Sequence, residues 1–283
     1  MTAEAPQRLD GIAALAERYQ VFLLDQFGVL HDGASPYPGA VQALSALKGA
    51  GKTIVLISNS GKRAEPNERR LLKLGFEPGS WDQFVSSGEV AWRSFHEMAA
   101  TGVLRHETRC LLISRDGDRS AIEGLPLALT NHGDDAELVL ISASEGDRYD
   151  LDHYRELLRP AAARRVPCFC TNPDRTMLTT AGPRFGAGEI ADLYEQLGGS
   201  AIRIGKPFPA IYEAALAIVG NPELGSVVCV GDSLEHDVAG GNRAGMATAL
   251  VLSGILADEA DLAGLFARCN SQPNYIIGSF RWR

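Results

Sequence analysis

The sequence VFLLDQFGVL, at residues 21–30, decides the fold. It opens with four apolar residues, and the run ends at a carboxylate, Asp25. A short apolar run of this kind, followed by turn-forming residues, is typical of a buried strand in a parallel sheet. Ligands of such open sheets bind outside the carboxyl ends of the strands. We therefore expect Asp25 at a sheet edge where a ligand binds.

Three further apolar runs end in a polar residue. They are TIVLI at 53–57 before Ser58, AIRIG at 201–205 before Lys206, and SVVCVG at 226–231 before Asp232. If these runs are parallel strands, two carboxylates, a hydroxyl and an ammonium group converge on one patch. This combination suits phosphoryl transfer assisted by a divalent cation.

The spacing of the runs indicates a second domain. Ser58 and Lys206 are 148 positions apart, whereas a βαβ crossover needs only about 30 residues. The surplus carries its own signals, with strands predicted at 110–113, 138–141 and 166–170 and helices at 151–158 and 189–197. The predicted architecture is a Rossmann-like parallel α/β core, residues 1–86 and 200–283, with an inserted α/β domain at 87–199.

The other elements are predicted from apolar periodicity and from glycine stops. Helices are predicted over 11–19, 40–50, 63–74, 210–218 and 238–244. Strands are predicted at 84–85, at 249–252 and, as an edge strand, at 275–277.

The composition is that of an ordinary globular protein, with 45% hydrophobic and 22% charged residues in a chain of 283. A net charge of −8 would repel a polyphosphate backbone, which argues against a nucleic-acid partner. The first ten residues lack a signal-peptide core, and the chain has no apolar run of the roughly 18 residues that a membrane span requires, so no membrane partner is expected. The five cysteines lack a paired zinc spacing, which predicts a reduced, cytoplasmic protein.

Four segments resemble the four motifs of the haloacid dehalogenase superfamily, and the chain is most similar to subclass IIA, the NagD-type phosphatases with a large cap. The segments are DQFGVL at 25–30, Ser58-Asn59, Gly205-Lys206-Pro207 and GDSLEHD at 231–237. The resemblance runs from about residue 20 to about residue 255. It implies that the inserted domain is a C2-type cap between the second and third motifs.

The chemistry of these residues gives each a candidate role. A carboxylate such as Asp25 can attack phosphorus and form a phosphoaspartyl intermediate. Ser58, Asn59 and Lys206 would bind the oxygens of the phosphoryl group. Mg²⁺ prefers oxygen ligands, and Asp25 and Asp232 would supply them. The resemblance implies a further ligand, the backbone carbonyl of Phe27.

Other residues near the motifs have two interpretations each. Asp237 could hold a metal-bound water or orient Lys206, or it could cap a helix that begins at Val238. Asn172 and Asp174 could contact substrate, as the resemblance implies, or simply form a turn.

Phe27 is the departure from the family pattern. Phosphatases of the superfamily carry a second Asp at this position, which protonates the leaving oxygen and later activates water. General acid–base catalysis of this kind is worth roughly 10²- to 10⁴-fold. His31, Asp32 or His236 could replace the missing acid, or each could be an ordinary loop residue.

The predicted function is a Mg²⁺-dependent phosphatase of a small phosphorylated metabolite, slow on alkyl phosphates because of Phe27. One alternative is a binding or regulatory protein that kept the pocket and lost turnover. Another is a dehalogenase-like hydrolase, in which the aspartate attacks carbon without a metal. The resemblance also suggests a homodimer.

Overall fold

A computed structural model describes residues 5–179, 182–257 and 259–283. The chain divides into two compact units. The first, called the core domain here, runs up to Ser58 and continues with Glu68–Val85 and Lys206–Arg283. The second, called the inserted domain, comprises Asn59–Asn67 and Ser86–Gly205. Compared with the predicted boundaries, residues 59–67, Ser86 and residues 200–205 group with the inserted domain.

The strands of the described residues, in chain order, are β1 (Gln7–Leu9), β2 (Val21–Leu24), β3 (Thr53–Ser58), β4 (Gln83–Ser86), β5 (Thr108–Ile113), β6 (Leu127–Thr130), β7 (Leu138–Ile141), β8 (Cys168–Cys170), β9 (Thr176–Thr179), β10 (Gly182–Phe185), β11 (Ala201–Arg203), β12 (Val227–Gly231), β13 (Ala247–Val251) and β14 (Tyr275–Ile277). The α-helices are α1 (Ala13–Ala16), α2 (Ala40–Gly49), α3 (Ala64–Lys73), α4 (Ser87–Ala100), α5 (Leu151–Ala163), α6 (Ala187–Gln196), α7 (Pro209–Ile218), α8 (Ala239–Arg243) and α9 (Leu262–Cys269).

The core domain is built on a seven-stranded sheet in the order β1-β14-β13-β12-β2-β3-β4. Its central strands, β2 and β12, are buried along their whole length and pair in parallel with their neighbours. Burial on both faces explains why these strands read as continuous apolar runs rather than as alternating ones.

The inserted domain has its own parallel sheet, in the order β11-β8-β7-β5-β6, and an antiparallel hairpin of β9 and β10. Its core is formed by side chains of the sheet together with α5 and α6, among them Val139, Ile141, Leu158, Ile190 and Tyr194. Asp150 caps α5, because its side chain accepts a hydrogen bond from the backbone of His153 at 2.9 Å. The predicted fold class, a parallel α/β core with an inserted α/β domain, is confirmed.

Three sequence predictions are wrong in detail. The run at 201–205 does not supply a strand of the core sheet, because β11 pairs with β8 at the edge of the sheet of the inserted domain. Tyr275–Ile277 is not an edge strand, because β1 pairs with it on the outer side in register Gln7 with Tyr275. β1 has only three residues, of which Gln7 and Arg8 are exposed, so it carries no apolar signal. The leading helix is a single short turn, α1, rather than a helix over 11–19.

Within the described parts of the chain, every helix is too short or too polar to cross a membrane. All five cysteines are free, and four of them are buried.

Candidate active site

The ends of three core strands bring polar side chains to one edge of the sheet. β2 lies between β12 and β3, with Leu24 opposite Val230 on one side and Leu56 on the other. Asp25 follows β2, and its backbone N–H donates to Val230 at 2.9 Å. Asp232 follows β12, and Ser58 ends β3. All three polar side chains are buried.

Lys206 joins this edge as the first residue of the last core segment. Its Nζ lies 2.7 Å from Oδ1 of Asp25 and 2.6 Å from Oδ1 of Asp237. The ammonium group is buried together with both carboxylates. Lys206 therefore fixes the position of Asp25 through charge-assisted hydrogen bonds.

Asp237 lies in a π-helical turn, Leu234–Val238, directly after β12. One carboxylate oxygen accepts from Lys206, and Oδ2 accepts from the backbone N–H of Ser233 at 3.1 Å. The interpretation of Asp237 as a helix cap is wrong, because the Ser233 side chain caps this turn and α8 starts only at Ala239. Of the predicted alternatives, the geometry favours orientation of Lys206.

Asp25, Asp232 and Asp237 form a cluster that fits a divalent cation. One oxygen from each carboxylate lies within 4.8 Å of the others. Glycine is required beside this cluster, because a Cβ at Gly28 or Gly254 would collide with Oδ2 of Asp232, and both residues have positive φ angles of 84° and 75°. Hard oxygen donors of this kind match the preference of Mg²⁺.

The protonation behaviour of the cluster reflects burial and crowding of like charges. Burial raises the pKa of Asp25 well above its usual range, and the charges of Asp237 and Asp232 add to the rise while Lys206 opposes it. Burial and the charge of Asp237 raise the pKa of Asp232 to about 7. Burial alone would lower the pKa of Lys206, but Asp237 and Asp25 outweigh it and raise that pKa. The three carboxylates of this cluster therefore carry more negative charge than Lys206 alone can balance.

Ser58 contacts a residue that the sequence analysis did not single out. Nε2 of Gln26 donates to Oγ of Ser58 at 2.8 Å, and both side chains are buried. On the other side of Gln26, Oε1 faces Nε2 of His31 at 3.5 Å. Gln26 has no motif signal, and only its place directly after Asp25 could have drawn attention to it.

The ring of Phe27 is partly exposed, with 37% of the residue accessible. The ring packs edge-on against His31, with the centroids 5.8 Å apart. The predicted metal contact of the Phe27 backbone carbonyl stays a prediction.

The residues suggested as substitute acids have local hydrogen bonds. Nδ1 of His31 accepts from the backbone of Gly33 at 2.9 Å, and burial lowers the pKa of this completely buried imidazole to about 4. Asp32 accepts from the backbone N–H groups of residues 34 and 35 on the surface. The ring of His236 lies 3.3 Å from Oγ of Ser233.

Asn59, Asn172 and Asp174 come together within the inserted domain. Nδ2 of Asn59 donates to Oδ1 of Asp174 at 2.7 Å. The backbone N–H of Asp174 donates to Oδ1 of Asn172 at 3.2 Å, which is the side-chain turn that the sequence allowed. Their contact with substrate stays a prediction.

Family models match both ends of the chain. A model described as haloacid dehalogenase-like hydrolase matches residues 22–127, and one described as HAD-hydrolase-like matches residues 203–282. Human chronophin is 31% identical over 96% of this chain and 95% of its own length.

Two solved structures share the fold. A haloacid dehalogenase-like hydrolase from Brucella suis 1330 is 25% identical, with a TM-score of 0.82 over 96% of this chain and 99% of its own. The p-nitrophenyl phosphatase from Archaeoglobus fulgidus is 28% identical, with a TM-score of 0.73 over 93% and 97% of the two chains. The Rossmann-like fold and its strand-end carboxylates are those of a hydrolase of the haloacid dehalogenase type. The chain belongs to the haloacid dehalogenase-like hydrolase family.

Proposed function

We propose that this chain is a Mg²⁺-dependent phosphatase of the NagD type, acting on small phosphorylated metabolites through a phosphoaspartyl intermediate at Asp25. The observation that carries the proposal is a buried cluster of three carboxylates. Asp25 and Asp237 both contact Lys206, and Asp232 lies close enough to them for one metal ion to be bound by the cluster. A phosphoric monoester hydrolase is also what the family membership supports.

The side chains divide the reaction between them. Lys206 holds Oδ1 of Asp25, so the carboxylate attacks phosphorus from a fixed position. The Ser58 hydroxyl and the Lys206 ammonium group would stabilise the negative charge that develops on the phosphoryl oxygens. When bound, a divalent cation would supply positive charge that favours the ionised carboxylates and neutralises those oxygens. Asp25, Asp232 and the backbone carbonyl of Phe27 would hold it.

Phe27 determines which phosphates the chain can hydrolyse well. A phenyl ring cannot donate a proton to the departing oxygen, so an alkoxide would leave slowly. Aryl and acyl phosphates need little protonation, because their leaving groups are stable as anions. The Archaeoglobus fulgidus protein of the same fold is named for an aryl phosphate, p-nitrophenyl phosphate. We therefore place aryl and acyl phosphates ahead of sugar phosphates.

The inserted domain would serve as the cap that selects the substrate, with Asn59, Asn172 and Asp174 as candidate contacts. The five free thiols support a reducing, cytoplasmic setting. A homodimer is a further prediction, which light scattering of the purified chain would test.

The first test measures phosphate release from sugar, nucleotide, cofactor, aryl and acyl phosphates, with and without Mg²⁺. Asp25→Asn should reduce the rate by roughly 10⁴-fold or more, because it removes the nucleophile. The matched control is Asp82→Asn, which alters a core-domain carboxylate paired with Lys48 at 2.8 Å, and it should keep the rate. Equal rates for Asp25→Asn and the parent chain would refute the mechanism. Halide release without Mg²⁺ would instead favour a dehalogenase.

A second candidate function rests on Phe27 itself. A chain without the family acid could bind a phosphometabolite and release no phosphate, and so act as a binding or regulatory protein. Tight Mg²⁺-dependent binding of phosphate compounds with no turnover on any of them would establish this function instead.

A further inference from the structure

Three buried side chains connect the loop after β2 to Ser58. His31, Gln26 and Ser58 are at most 6% exposed. They are linked by the 3.5 Å approach of His31 Nε2 to Gln26 Oε1 and the 2.8 Å bond from Gln26 Nε2 to Ser58 Oγ. The proposed phosphatase mechanism uses Ser58 but gives no role to Gln26 or His31.

The direction of the hydrogen bonds follows from one backbone group. The N–H of Gly33 donates to Nδ1 of His31, so Nδ1 carries no hydrogen. In a neutral imidazole the hydrogen then lies on Nε2. Nε2–H faces the Gln26 amide, which must present its oxygen there, because the opposite orientation would bring two donors together.

This orientation leaves Gln26 with its NH₂ group toward Ser58. Oγ of Ser58 accepts that bond, so the serine hydrogen is used to donate to a different group. A phosphoryl oxygen only accepts hydrogen bonds. If the Ser58 hydroxyl donated its hydrogen to the Gln26 amide, it could not donate to a phosphoryl oxygen. The perpendicular packing of the Phe27 ring against the His31 ring helps to keep the imidazole in place.

We propose that Gln26, held by His31, is a positioning residue that fixes the Ser58 hydroxyl as a hydrogen-bond donor to the bound phosphoryl group. This inference rests on the proposed function, because it assigns Ser58 to the phosphate. Gln26 itself touches neither substrate nor metal in this scheme.

A double-mutant cycle tests the inference, with inorganic phosphate as the probe in the presence of Mg²⁺. Gln26→Met keeps the side-chain length and removes the donor, and Ser58→Ala removes the acceptor. Calorimetric binding of phosphate should weaken about tenfold for Gln26→Met in the parent chain, which is the size expected for one hydrogen bond to a charged group. In the Ser58→Ala background the same change should weaken binding less than twofold. Mg²⁺ affinity, measured in every variant, should stay unchanged and reports that the site is folded.

A second substitution covers the case in which Gln26→Met does not fold. Gln26→Glu keeps the shape but offers only acceptors, so the serine hydrogen turns toward the carboxylate. Its loss of phosphate affinity should again be smaller when Ser58 is alanine, since charge repulsion by the glutamate is the same in both backgrounds.

The outcomes separate this inference from the proposed function. Equal losses in both backgrounds would overturn the positioning role, even if the chain is an active phosphatase. A parent chain that fails to bind phosphate would also overturn it. A parent chain that binds phosphate, shows the non-additive cycle and releases no phosphate would refute the phosphatase and support the positioning role.

Discussion

Arg203 and Lys206 lie three positions apart, one in each domain, and each is held by two carboxylates. In the inserted domain, Nη2 of Arg203 is 2.6 Å from Asp192 and 2.9 Å from Glu195. In the core domain, Nζ of Lys206 is 2.7 Å from Asp25 and 2.6 Å from Asp237. Contact distances alone do not distinguish the two clusters.

Charge balance and burial distinguish the Arg203 cluster from the Lys206 cluster. Asp192 also pairs with Arg175 at 3.1 Å, and Arg175 pairs with Glu189 at 3.0 Å, so the inserted-domain cluster has two cations for three carboxylates. The Arg203 side chain is 17% exposed. The Lys206 side chain is 4% exposed. Its two partners, Asp25 and Asp237, cluster with a third carboxylate, that of Asp232. Buried charge without enough counter-charge is costly. A buried cluster with little counter-charge at strand ends therefore marks a site for a cation and a substrate, whereas a more exposed and better balanced cluster is explained by structure.

The largest expected effect comes from making the same substitution in both clusters. Lys206→Gln should lower phosphate release by roughly 10³-fold, because it removes a positive charge from the reacting group and frees Asp25 to move. Arg203→Gln should change the rate less than twofold. Steady-state kinetics with the preferred phosphate compound measures both. Comparable losses in the two variants would remove the functional distinction between the clusters.

A second prediction concerns pH and the metal. The pKa of Asp232 is raised to about 7, against an ordinary value of 3.8. Between these pH values the folded core domain binds more protons than the unfolded chain. The contribution of Asp232 to the free energy of unfolding without metal should therefore fall as pH rises from about 4 to 7, by about 4 kcal/mol at most. Asp25, whose pKa is also raised, adds to the loss in the same direction. Under the proposed function the ionised carboxylates bind Mg²⁺, and added Mg²⁺ should then remove this loss.

Hydrogen exchange of the β2 and β12 amides, in EDTA and in Mg²⁺ at pH 5 and 7.5, would measure the effect in the core domain. Asp232→Asn should reduce the pH dependence in EDTA, and the raised pKa of Asp25 should account for the part that remains. The control is Asp147→Asn in the inserted domain, because hydrogen bonds from Arg115 lower the pKa of Asp147 to about 2. That contribution is lost only as pH falls toward 2, so this variant should keep the slope of the core domain.

The sequence predicts the ends of β2, β3 and β12 well, because parallel strands buried on both faces leave continuous apolar runs that stop where the polar residues begin. It gives the contact of Asp237 with Lys206 only as one of several alternatives, since the π-helical turn after β12 sets that contact and has no pattern of its own. The sequence also does not predict the hydrogen bond between Gln26 and Ser58, for a similar reason. Such contacts depend on side chains from different strands, and the order of the strands appears only in the structure.

A third prediction concerns Phe27, the position at which the sequence analysis expects a second aspartate in the family. Phe27→Asp should raise the rate on alkyl phosphates such as sugar phosphates by about 10²-fold, because a carboxylic acid can protonate the leaving oxygen. The rate on aryl phosphates should rise much less. Phe27→Leu is the matched control and should leave the ratio of the two rates as it is. An unchanged rate of Phe27→Asp on sugar phosphates would mean that another group already supplies the proton.

The smallest effect is expected in the inserted domain, from the stability of the Arg203 cluster. Arg203→Gln should lower the free energy of unfolding of α6 and β11 by about 1 kcal/mol, because the lost ion pairs are partly exposed to water and screened. The control is Arg155→Gln, whose pair with Asp152 at 3.3 Å is more exposed and should contribute almost nothing. Hydrogen exchange of the α6 amides at low and high salt would measure both, and the Arg203 effect should shrink at high salt. A loss of several kcal/mol that salt leaves unchanged would mean that Arg203 neutralises a buried charge as Lys206 does, and balance would no longer distinguish the two clusters.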